Sequence, residues 1–324
     1  MPQPALGEDE KMDRRPDASG KLAAKITRAS SKQTYYTIRL FADRDCVEDA
    51  YRAYAYFRWV DDILDADSGS LAEKLAFIDG QRSLLEACYL GQRPQNPSDE
   101  ECMLADLIAD NIGEEKGLAA YLRNMMAVME FDARRRGEVI SQADLSEYSR
   151  MLAVAVTEAL YYFIGHDDPT PWHEARYLAV TAAHITHMLR DTCEDVAAGY
   201  YNIPAEYLRA QGISAGDFDS PAFREWVCGR VKLAQMYFKA SRDATSQVRN
   251  WRCRLAGFAY TARFKWILRA IERDCYSLRA GYPERKGLRA GLWMAWRTLG
   301  SMVSSYGLGT GSRGFSPQPV RIDK

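Results

Sequence analysis

The stretch that decides the fold is Arg58-Trp59-Val60-Asp61-Asp62-Ile63-Leu64-Asp65, inside a longer run with helical spacing that begins near Asp45. A helix turns by about 100° per residue, so one stripe about 60° wide collects four polar side chains, those of Tyr54, Arg58, Asp61 and Asp65. Three aspartates within five residues repel one another, and a solvated helix gains little from that repulsion. A cation held between Asp61 and Asp65 explains the spacing, whereas the alternative is a charged face exposed to solvent.

A second acidic cluster, Arg190-Asp191-Thr192-Cys193-Glu194-Asp195, repeats this spacing later in the chain. Its outer aspartates are four residues apart and therefore share one helical face. Mg²⁺ keeps most of its waters, binds through one or two carboxylates and takes its further ligands from phosphate oxygens. Two carboxylate-rich helix faces therefore predict a site for Mg²⁺ ions and a diphosphate, and the pair is far more specific than either cluster alone.

Composition and charge limit the classes of partner. The 324 residues are 47% hydrophobic and 27% charged, as in a globular protein with a full core. The formal net charge of −1 gives no general attraction to nucleic acid, so no nucleic-acid partner is expected. Residues 251–300 carry eleven Lys or Arg against three Asp or Glu. This basic segment indicates a diphosphate or an anionic membrane surface as a neighbour, or otherwise a solvated helix face.

Cysteine usage and hydropathy indicate the cellular compartment. Seven cysteines are scattered without a Cys-x-x-Cys pair, which is typical of reduced thiols in the cytosol. No apolar run reaches the roughly 20 residues that span a bilayer, and the polar, acidic N-terminus does not resemble a secretory signal. The stretch Leu288–Arg297 mixes Trp, Leu and Arg as an interfacial helix does. We therefore expect a cytoplasmic protein in which Leu288–Arg297 is either a helix that associates peripherally with the inner face of a membrane or a terminal helix packed in the core.

The pattern of the chain predicts one large all-α domain between two tails. Residues 1–19 are polar and are predicted to be disordered, residues 20–306 form the domain, and residues 307–324 form a flexible tail. Turn signals separate the predicted helices, which span about 44–66, 71–90, 98–111, 116–136, 142–164, 172–198, 221–249, 251–280 and 286–304. The fold prediction is a helical bundle whose site lies between helices.

Two aspartate faces, Mg²⁺ and arginines together suggest the ionisation of an allylic diphosphate. Metal ions and cationic side chains neutralise the charge that builds on the leaving group. Arg58 and Arg190 are candidate diphosphate ligands, because a guanidinium binds phosphate oxygens bidentately. Tyr54 lies one turn before Arg58 on the same stripe. A dry apolar cavity would then hold the carbocation away from water.

Over roughly residues 28–305 the sequence resembles the squalene/phytoene synthase family of head-to-head isoprenyl transferases. The matching signature is Tyr54-Ala55-Tyr56-Phe57-Arg58-Trp59-Val60-Asp61-Asp62-Ile63-Leu64-Asp65, similar to YAxxRxxDDxxD. Its partner is Leu189-Arg190-Asp191-Thr192-Cys193-Glu194-Asp195, followed by Gly199-Tyr200-Tyr201-Asn202-Ile203-Pro204. Weaker similarities lie at Ser31–Tyr36, Met129–Asp132 and Asp144–Tyr148.

The resemblance implies an isoprenoid synthase helical bundle with a central cavity. It also implies Mg²⁺ held by Asp61, Asp65, Asp191 and Asp195, and a tyrosine near the chemistry that matches Tyr148. Two prenyl diphosphates, farnesyl or geranylgeranyl, would condense head to head through a cyclopropylcarbinyl diphosphate and release diphosphate. The product would be of the squalene or phytoene type. Some members use NADPH, and nothing in this sequence identifies a nicotinamide site.

His184 and His187 depart from the family pattern, because they stand where the family usually has amides before the second aspartate motif. Both share the helical stripe of Asp191 and Asp195. In the simplest interpretation they replace the amide hydrogen bonds to diphosphate or water, and are substrate-binding residues. In a second, they ligate a softer metal such as Zn²⁺, Mn²⁺ or iron. In a third, His187 takes up a proton beside the leaving diphosphate.

Two further departures leave the acceptor and the product open. Ala153-Val154-Ala155-Val156-Thr157-Glu158 places bulk and an acid where glycines are common, and Phe264 stands where many members have tyrosine. The alternative function is therefore a diverged member that acts as a terpene cyclase or prenylates another acceptor. A non-catalytic assembly factor and a His/carboxylate metalloenzyme rank lower. Clustered carboxylates serve no scaffold, and only one helix carries His-x-x-His.

Overall fold

The computed structural model describes residues 18–66, 69–111, 115–165, 173–283 and 287–308. Within these ranges the chain forms twelve α-helices and two 3₁₀ turns, Arg44–Cys46 and Glu174–Arg176. The helices are α1 (Ala18–Ser30), α2 (Lys32–Phe41), α3 (Val47–Asp65), α4 (Leu71–Tyr89), α5 (Asp99–Ala109), α6 (Glu115–Arg135), α7 (Gln142–Gly165), α8 (Leu178–Ala197), α9 (Ala205–Gln211), α10 (Pro221–Gln247), α11 (Trp251–Arg273) and α12 (Leu288–Leu308). The prediction of an all-α protein is confirmed.

The helix boundaries differ from the sequence prediction in a few places. Helices α1, α2 and α9 were not delimited from the sequence. Helix α11 ends at Arg273 instead of near residue 280, because Cys275 and Tyr276 adopt left-handed φ angles of 53° and 63°. The amide of Tyr276 then donates to the carbonyl of Ile271 at 2.9 Å, which closes the helix end. Among the described residues, no helix has both the length and the apolar character that a membrane-spanning segment requires.

The chain divides into two compact units at the start of α6. The N-terminal unit comprises residues 1–115 and the C-terminal unit comprises residues 116–324. The predicted tails, 1–19 and 307–324, fall mostly outside the described residues. The exceptions are Ala18 and Ser19, which begin α1, and residues 307–308, which end α12.

In the N-terminal unit α3 packs against α1, α2 and α5. Small and aromatic side chains build that contact: Ala23, Tyr51, Ala55 and Met103 form one buried cluster. Helix α5 begins with a capping box in which Ser98 and Glu101 exchange hydrogen bonds. The second carboxylate oxygen of Glu101 accepts from Gln81 of α4 at 2.9 Å, so one residue both starts a helix and joins it to its neighbour.

Buried polar contacts fix the rotation of α3 about its own axis. The Arg52 guanidinium lies 2.6 Å from Asp49 and 3.2 Å from Asp110. The hydroxyl of Tyr56 donates to Gln81 at 2.9 Å. Because a buried charge or hydroxyl that loses its partner carries a large desolvation cost, these contacts resist any rotation of the helix. Residues 52 and 56 therefore face the core.

In the C-terminal unit α8 packs against α7, α10 and α11. Ala182 and Ala183 are completely buried, and such small side chains allow neighbouring helices to approach closely. The buried core cluster of the C-terminal unit, to which both alanines belong, also includes Leu189, Phe223 and Phe264. Helix α8 is thus surrounded by helices along its first turns, while its last two to three turns carry the second aspartate motif.

The segments that follow α6 and α8 are joined by backbone contacts. Gly137 donates its amide proton to the carbonyl of Gly199 at 2.7 Å, and Val139 forms an isolated parallel bridge with Tyr201. Both glycines have a φ of 86°, which favours glycine, and a Cβ on Gly199 would lie 3.4 Å from the Gly137 nitrogen. This contact brings the C-terminal end of α6 beside the C-terminal end of α8.

Candidate active site

The four predicted residues of the first motif lie on one stripe of α3, outside its buried face. Arg58 donates to Asp61 at 3.0 Å and also binds Asp62. The side chains of Arg58 and Asp61 are 39% and 38% exposed, so solvent screens this ion pair. Asp65 is exposed and Tyr54 is half-buried. A bound diphosphate would therefore compete with Asp61 and Asp62 for Arg58.

A lysine from the next helix closes the end of α3 beside Asp65. The Lys74 ammonium group donates to the carbonyl of Leu64 at 2.6 Å and to that of Ala66 at 2.8 Å. A cation at a helix C-terminus satisfies free carbonyl groups and interacts favourably with the helix dipole. Lys74 therefore holds the last turn of α3, on which Asp65 lies, in a defined position.

The second motif lies on α8, where one stripe carries His184, His187, Asp191 and Asp195. Arg190 is attached to the helix outside that stripe, and its guanidinium binds the carboxylate of its neighbour Asp191 through both Nε and Nη2. The guanidinium of Arg190 is mostly buried, and Asp191 is less so. Arg190 therefore lies beside the carboxylates of the motif through its ion pair with Asp191.

Asp195 is the end of a continuous chain of hydrogen bonds that begins at Tyr148. The Tyr148 hydroxyl donates to Asp132 at 2.9 Å, and Asp132 also accepts from Arg135 at 2.7 Å. Arg135 donates to Asn202 at 2.9 Å, and the Asn202 amide donates to Asp195 at 2.7 Å. Three helices and the loop after α8 contribute to this chain, so the orientation of Asp195 depends on all of them.

Arg135 is the residue of this chain that sequence reasoning missed. It is buried at the end of α6, with its guanidinium 4.7 Å from the ring centre of Tyr148 and 5.0 Å from that of Tyr200. Arginine stacked on aromatic faces in this way makes a favourable cation–π contact. Its spacing of three residues from Asp132 was a usable signal, but three consecutive arginines stand at 134–136 and only the fold selects one.

The electrostatics around Asp195 favour a bound cation. Burial, followed by repulsion from Asp191, raises the pKa of Asp195 to about 6, and a weaker repulsion from Asp132 adds to it. Arg135 and Asn202 act in the opposite direction. A carboxylate whose ionised form is disfavoured by its neighbours is stabilised when a divalent cation binds there. The donor set, carboxylate oxygens only, suits Mg²⁺.

The two histidines differ in their surroundings. His184 is buried with its ring edge against Tyr148, at 4.9 Å between centres. Burial, more than the nearby charges of His187, Arg135 and Arg230, lowers its pKa to about 3, so the imidazole is neutral. His187 packs its ring against Phe264 at 4.6 Å. Among the described residues no group of three or more His, Cys, Asp or Glu is arranged to hold a metal ion.

The acid that departs from the family pattern, Glu158, is compensated within the fold. It is buried on α7 and forms an ion pair with Arg176 at 3.1 Å, and it accepts a hydrogen bond from Tyr177 at 2.9 Å. Arg176 in turn lies 4.4 Å from the ring centre of Tyr161. Glu158 thus links α7 to the segment before α8.

The predicted site residues therefore fall into two groups. Those of α3 belong to the N-terminal unit, and Tyr148 together with the residues of α8 belongs to the C-terminal unit. Within each unit the structure brings the predicted residues together on one helix or on neighbouring helices. Two points stay predictions: that the two aspartate motifs form one site, and that the fold contains a central cavity.

Named relatives are similar to part of the chain. The presqualene diphosphate synthase of Zymomonas mobilis is 27% identical over 194 residues, which cover 59% of this chain and 62% of that protein. The presqualene diphosphate synthase of Rhodopseudomonas palustris is 26% identical over 184 residues, which cover 57% and 62%. The chain thus spans less than two thirds of the length of these curated relatives.

Solved structures show the fold. The squalene synthase HpnC from Alicyclobacillus acidocaldarius superposes with a TM-score of 0.67 at 21% identity, covering 81% of this chain and 95% of that one. A dehydrosqualene synthase has a TM-score of 0.65 at 16% identity, covering 90% and 96%. The helical fold is therefore that of squalene synthases. The model of the squalene/phytoene synthase family matches residues 27–289, and the chain belongs to that family.

Proposed function

We propose that this protein is a Mg²⁺-dependent prenyltransferase that condenses two prenyl diphosphates head to head. The observation that carries the proposal is the chain of hydrogen bonds from Tyr148 to Asp195, which orients the second aspartate motif in a member of the squalene/phytoene synthase family. Asp61 and Asp65 on α3, and Asp191 and Asp195 on α8, would hold Mg²⁺. When bound, Mg²⁺ supplies positive charge that stabilises the leaving diphosphate.

The arginines of the two motifs bind the substrate diphosphates in this proposal. Arg58 is paired with Asp61 and Asp62 in an exposed position, so exchanging these partners for phosphate oxygens costs little. Arg190 binds Asp191 with two donors and keeps further N–H groups for a phosphate oxygen. In each unit the arginine and the carboxylates of the motif therefore form a charged surface that would bind a diphosphate.

Tyr148 and Phe131 form the aromatic part of the site. Burial raises the pKa of Tyr148 well above its ordinary value, so the hydroxyl keeps its proton and holds it towards Asp132. The rings of Phe131 and Tyr148 stack at 4.9 Å between centres, and the guanidinium of Arg135 lies over both of them. We infer that this pair belongs to the wall that keeps water from the prenyl cation.

The names of the relatives favour a cyclopropylcarbinyl diphosphate as the released product. In that reaction C1 of one prenyl group bonds to the 2,3 double bond of the second, its diphosphate leaves, and one proton is lost as the ring closes. The second substrate keeps its diphosphate, so one diphosphate is released for each product. Reduction by NADPH would belong to a further step, giving a product of the squalene type.

The test is incubation of the purified protein with farnesyl or geranylgeranyl diphosphate and Mg²⁺, with and without NADPH, followed by mass analysis of the products. We expect one diphosphate released per two substrates consumed and a product that retains the other. A cyclic or linear product from a single prenyl group would favour the alternative, a terpene cyclase or a transferase to another acceptor. Phe264 in place of a tyrosine is the observation that keeps that alternative open.

The cellular setting is also a proposal. All seven cysteines are unbridged thiols and three of them are buried, which supports a reducing, cytoplasmic compartment. Substrates with long apolar chains concentrate in membranes, so we infer peripheral association with the inner face of a membrane.

A further inference from the structure

Helix α12 presents a row of apolar side chains to solvent. Five large residues are exposed along its length: Leu288 (80%), Leu292 (63%), Trp296 (68%), Leu299 (61%) and Val303 (72%). At about 100° per residue all five fall within a stripe about 80° wide, which we call the α12 stripe. Single exposed apolar residues are ordinary, but a continuous row of this kind marks a binding surface.

A basic cavity opens directly beside the α12 stripe. It has a volume of about 270 Å³ and lies between α10, α11 and α12. Its three cations are Arg242, Lys265 and Arg297, one from each helix. Five hydroxyl side chains also line it, beside apolar ones: Ser241, Thr245, Thr261, Ser301 and Ser304. Trp296 belongs to both the cavity wall and the stripe, so an anionic site and an apolar surface meet at one residue.

The cations of the cavity repel one another. In the part of the chain that the structure describes, none of Arg242, Lys265 and Arg297 forms a salt bridge, and Lys265 lies 5.5 Å from the ring centre of Phe238. Burial, followed by repulsion from Arg297, Arg242 and Arg269, lowers the pKa of Lys265 to about 8. An anion in the cavity would relieve that repulsion, and a phosphate group can accept from guanidinium, ammonium and hydroxyl donors together.

The charge also limits which partner covers the stripe. Arg289, near the start of α12, is a further exposed cation. A second copy of this chain docked stripe to stripe would bring these cations together, and like charges across an interface are repulsive. A phospholipid carries a phosphate beside apolar chains, which is the same arrangement as the cavity and the stripe.

We propose that α12 docks on an anionic phospholipid surface, with the α12 stripe at the acyl boundary and a headgroup phosphate in the cavity of Arg242, Lys265 and Arg297. An amphipathic helix of this kind lies in the plane of the interface and binds by apolar burial together with attraction to anionic lipids. Each basic residue near the surface strengthens that attraction, and added salt weakens it. This proposal does not depend on prenyl transfer.

The test is co-sedimentation of the purified protein with vesicles at pH 7 and low salt. We expect binding to vesicles that contain phosphatidylglycerol and little binding to pure phosphatidylcholine. Lys265→Met should weaken binding about fivefold, while Lys232→Met, which removes the same charge from an exposed position on α10, should have a smaller effect. Leu292→Ser should weaken binding about tenfold, and Leu40→Ser, an exposed leucine on α2, should not.

Arg297→Gln is a second cavity variant, and thermal unfolding of every variant checks that the fold is retained. Equal losses for Lys265→Met and Lys232→Met would show that the attraction is diffuse, which overturns the cavity as a headgroup site. Titration with inorganic phosphate and with glycerol phosphate separates the sources of the anion. Binding of these ions that depends on Lys265, without vesicle binding, would overturn membrane docking. A dimer that Leu292→Ser dissociates, again without vesicle binding, would assign the stripe to a second copy and also overturn it.

Discussion

The hydroxyl of Tyr148 donates a hydrogen bond of 2.9 Å to Asp132, sixteen residues earlier in the chain. The same carboxylate accepts from Arg135, which binds Asn202 sixty-seven residues later. A side chain of the aromatic cluster and an aspartate of the second motif are therefore orientated by one buried arginine. A substitution of Arg135 should therefore affect both Tyr148 and Asp195, although Arg135 belongs to neither aspartate motif.

The aspartates are the first residues to test. Asp61→Ala or Asp191→Ala should abolish diphosphate release and leave the fold intact, because one missing metal ligand removes several kcal/mol of leaving-group stabilisation, or about a thousandfold in rate. Diphosphate release and the thermal unfolding midpoint are measured together. Near-normal turnover of either variant at saturating Mg²⁺ would contradict the metal site.

Arg135 is predicted to be a positioning residue. Arg135→Gln should lower kcat about 10- to 100-fold and raise the Mg²⁺ concentration needed for half-maximal activity, because Asn202 and Asp195 lose their orientation. Arg134→Gln is the matched control, since Arg134 is exposed and its ion pair is with Glu130 of the same helix. Loss of stability with an unchanged Mg²⁺ requirement would mean that Arg135 has a purely structural role.

The two histidines are tested by restoring amides. We expect the double variant His184→Gln, His187→Asn to keep its activity and its preference for Mg²⁺, because the imidazole of His184 is neutral and packed against Tyr148. Metal analysis and a pH–rate profile accompany the assay. Stoichiometric Zn²⁺ or iron that the double variant loses would establish a softer metal instead. If the double variant keeps its metal content but its rate no longer rises on the acidic side of the pH–rate profile, His187 helps to balance the charge of the leaving diphosphate.

His184 should also make the protein sensitive to acid. Its pKa in the folded state is about 3, below the ordinary 6.5, so the unfolded chain binds the extra proton first. Its contribution to stability is complete above pH 6.5 and is lost as the pH falls from 6.5 towards 3. Between pH 7 and pH 5 this amounts to about 1–2 kcal/mol of the free energy of unfolding.

Urea unfolding at both pH values measures this effect. His184→Gln should lose less stability than the parent between pH 7 and pH 5, whereas His173→Gln, at an exposed position, should behave like the parent. An equal loss in the parent and in His184→Gln would show that His184 is not the group that titrates.

The sequence by itself determined the helical class and the content of each aspartate stripe. Both follow from local geometry, since a spacing of four residues places Asp61 with Asp65, and Asp191 with Asp195, on one helix face. The sequence also offered an interfacial helix at Leu288–Arg297, which stays a prediction. Only the tertiary structure decided which of three consecutive arginines binds Asn202, that Glu158 is neutralised by Arg176, and that Asp195 has a raised pKa. These depend on contacts between residues distant in sequence and on burial, because desolvation and pairing arise only when helices pack.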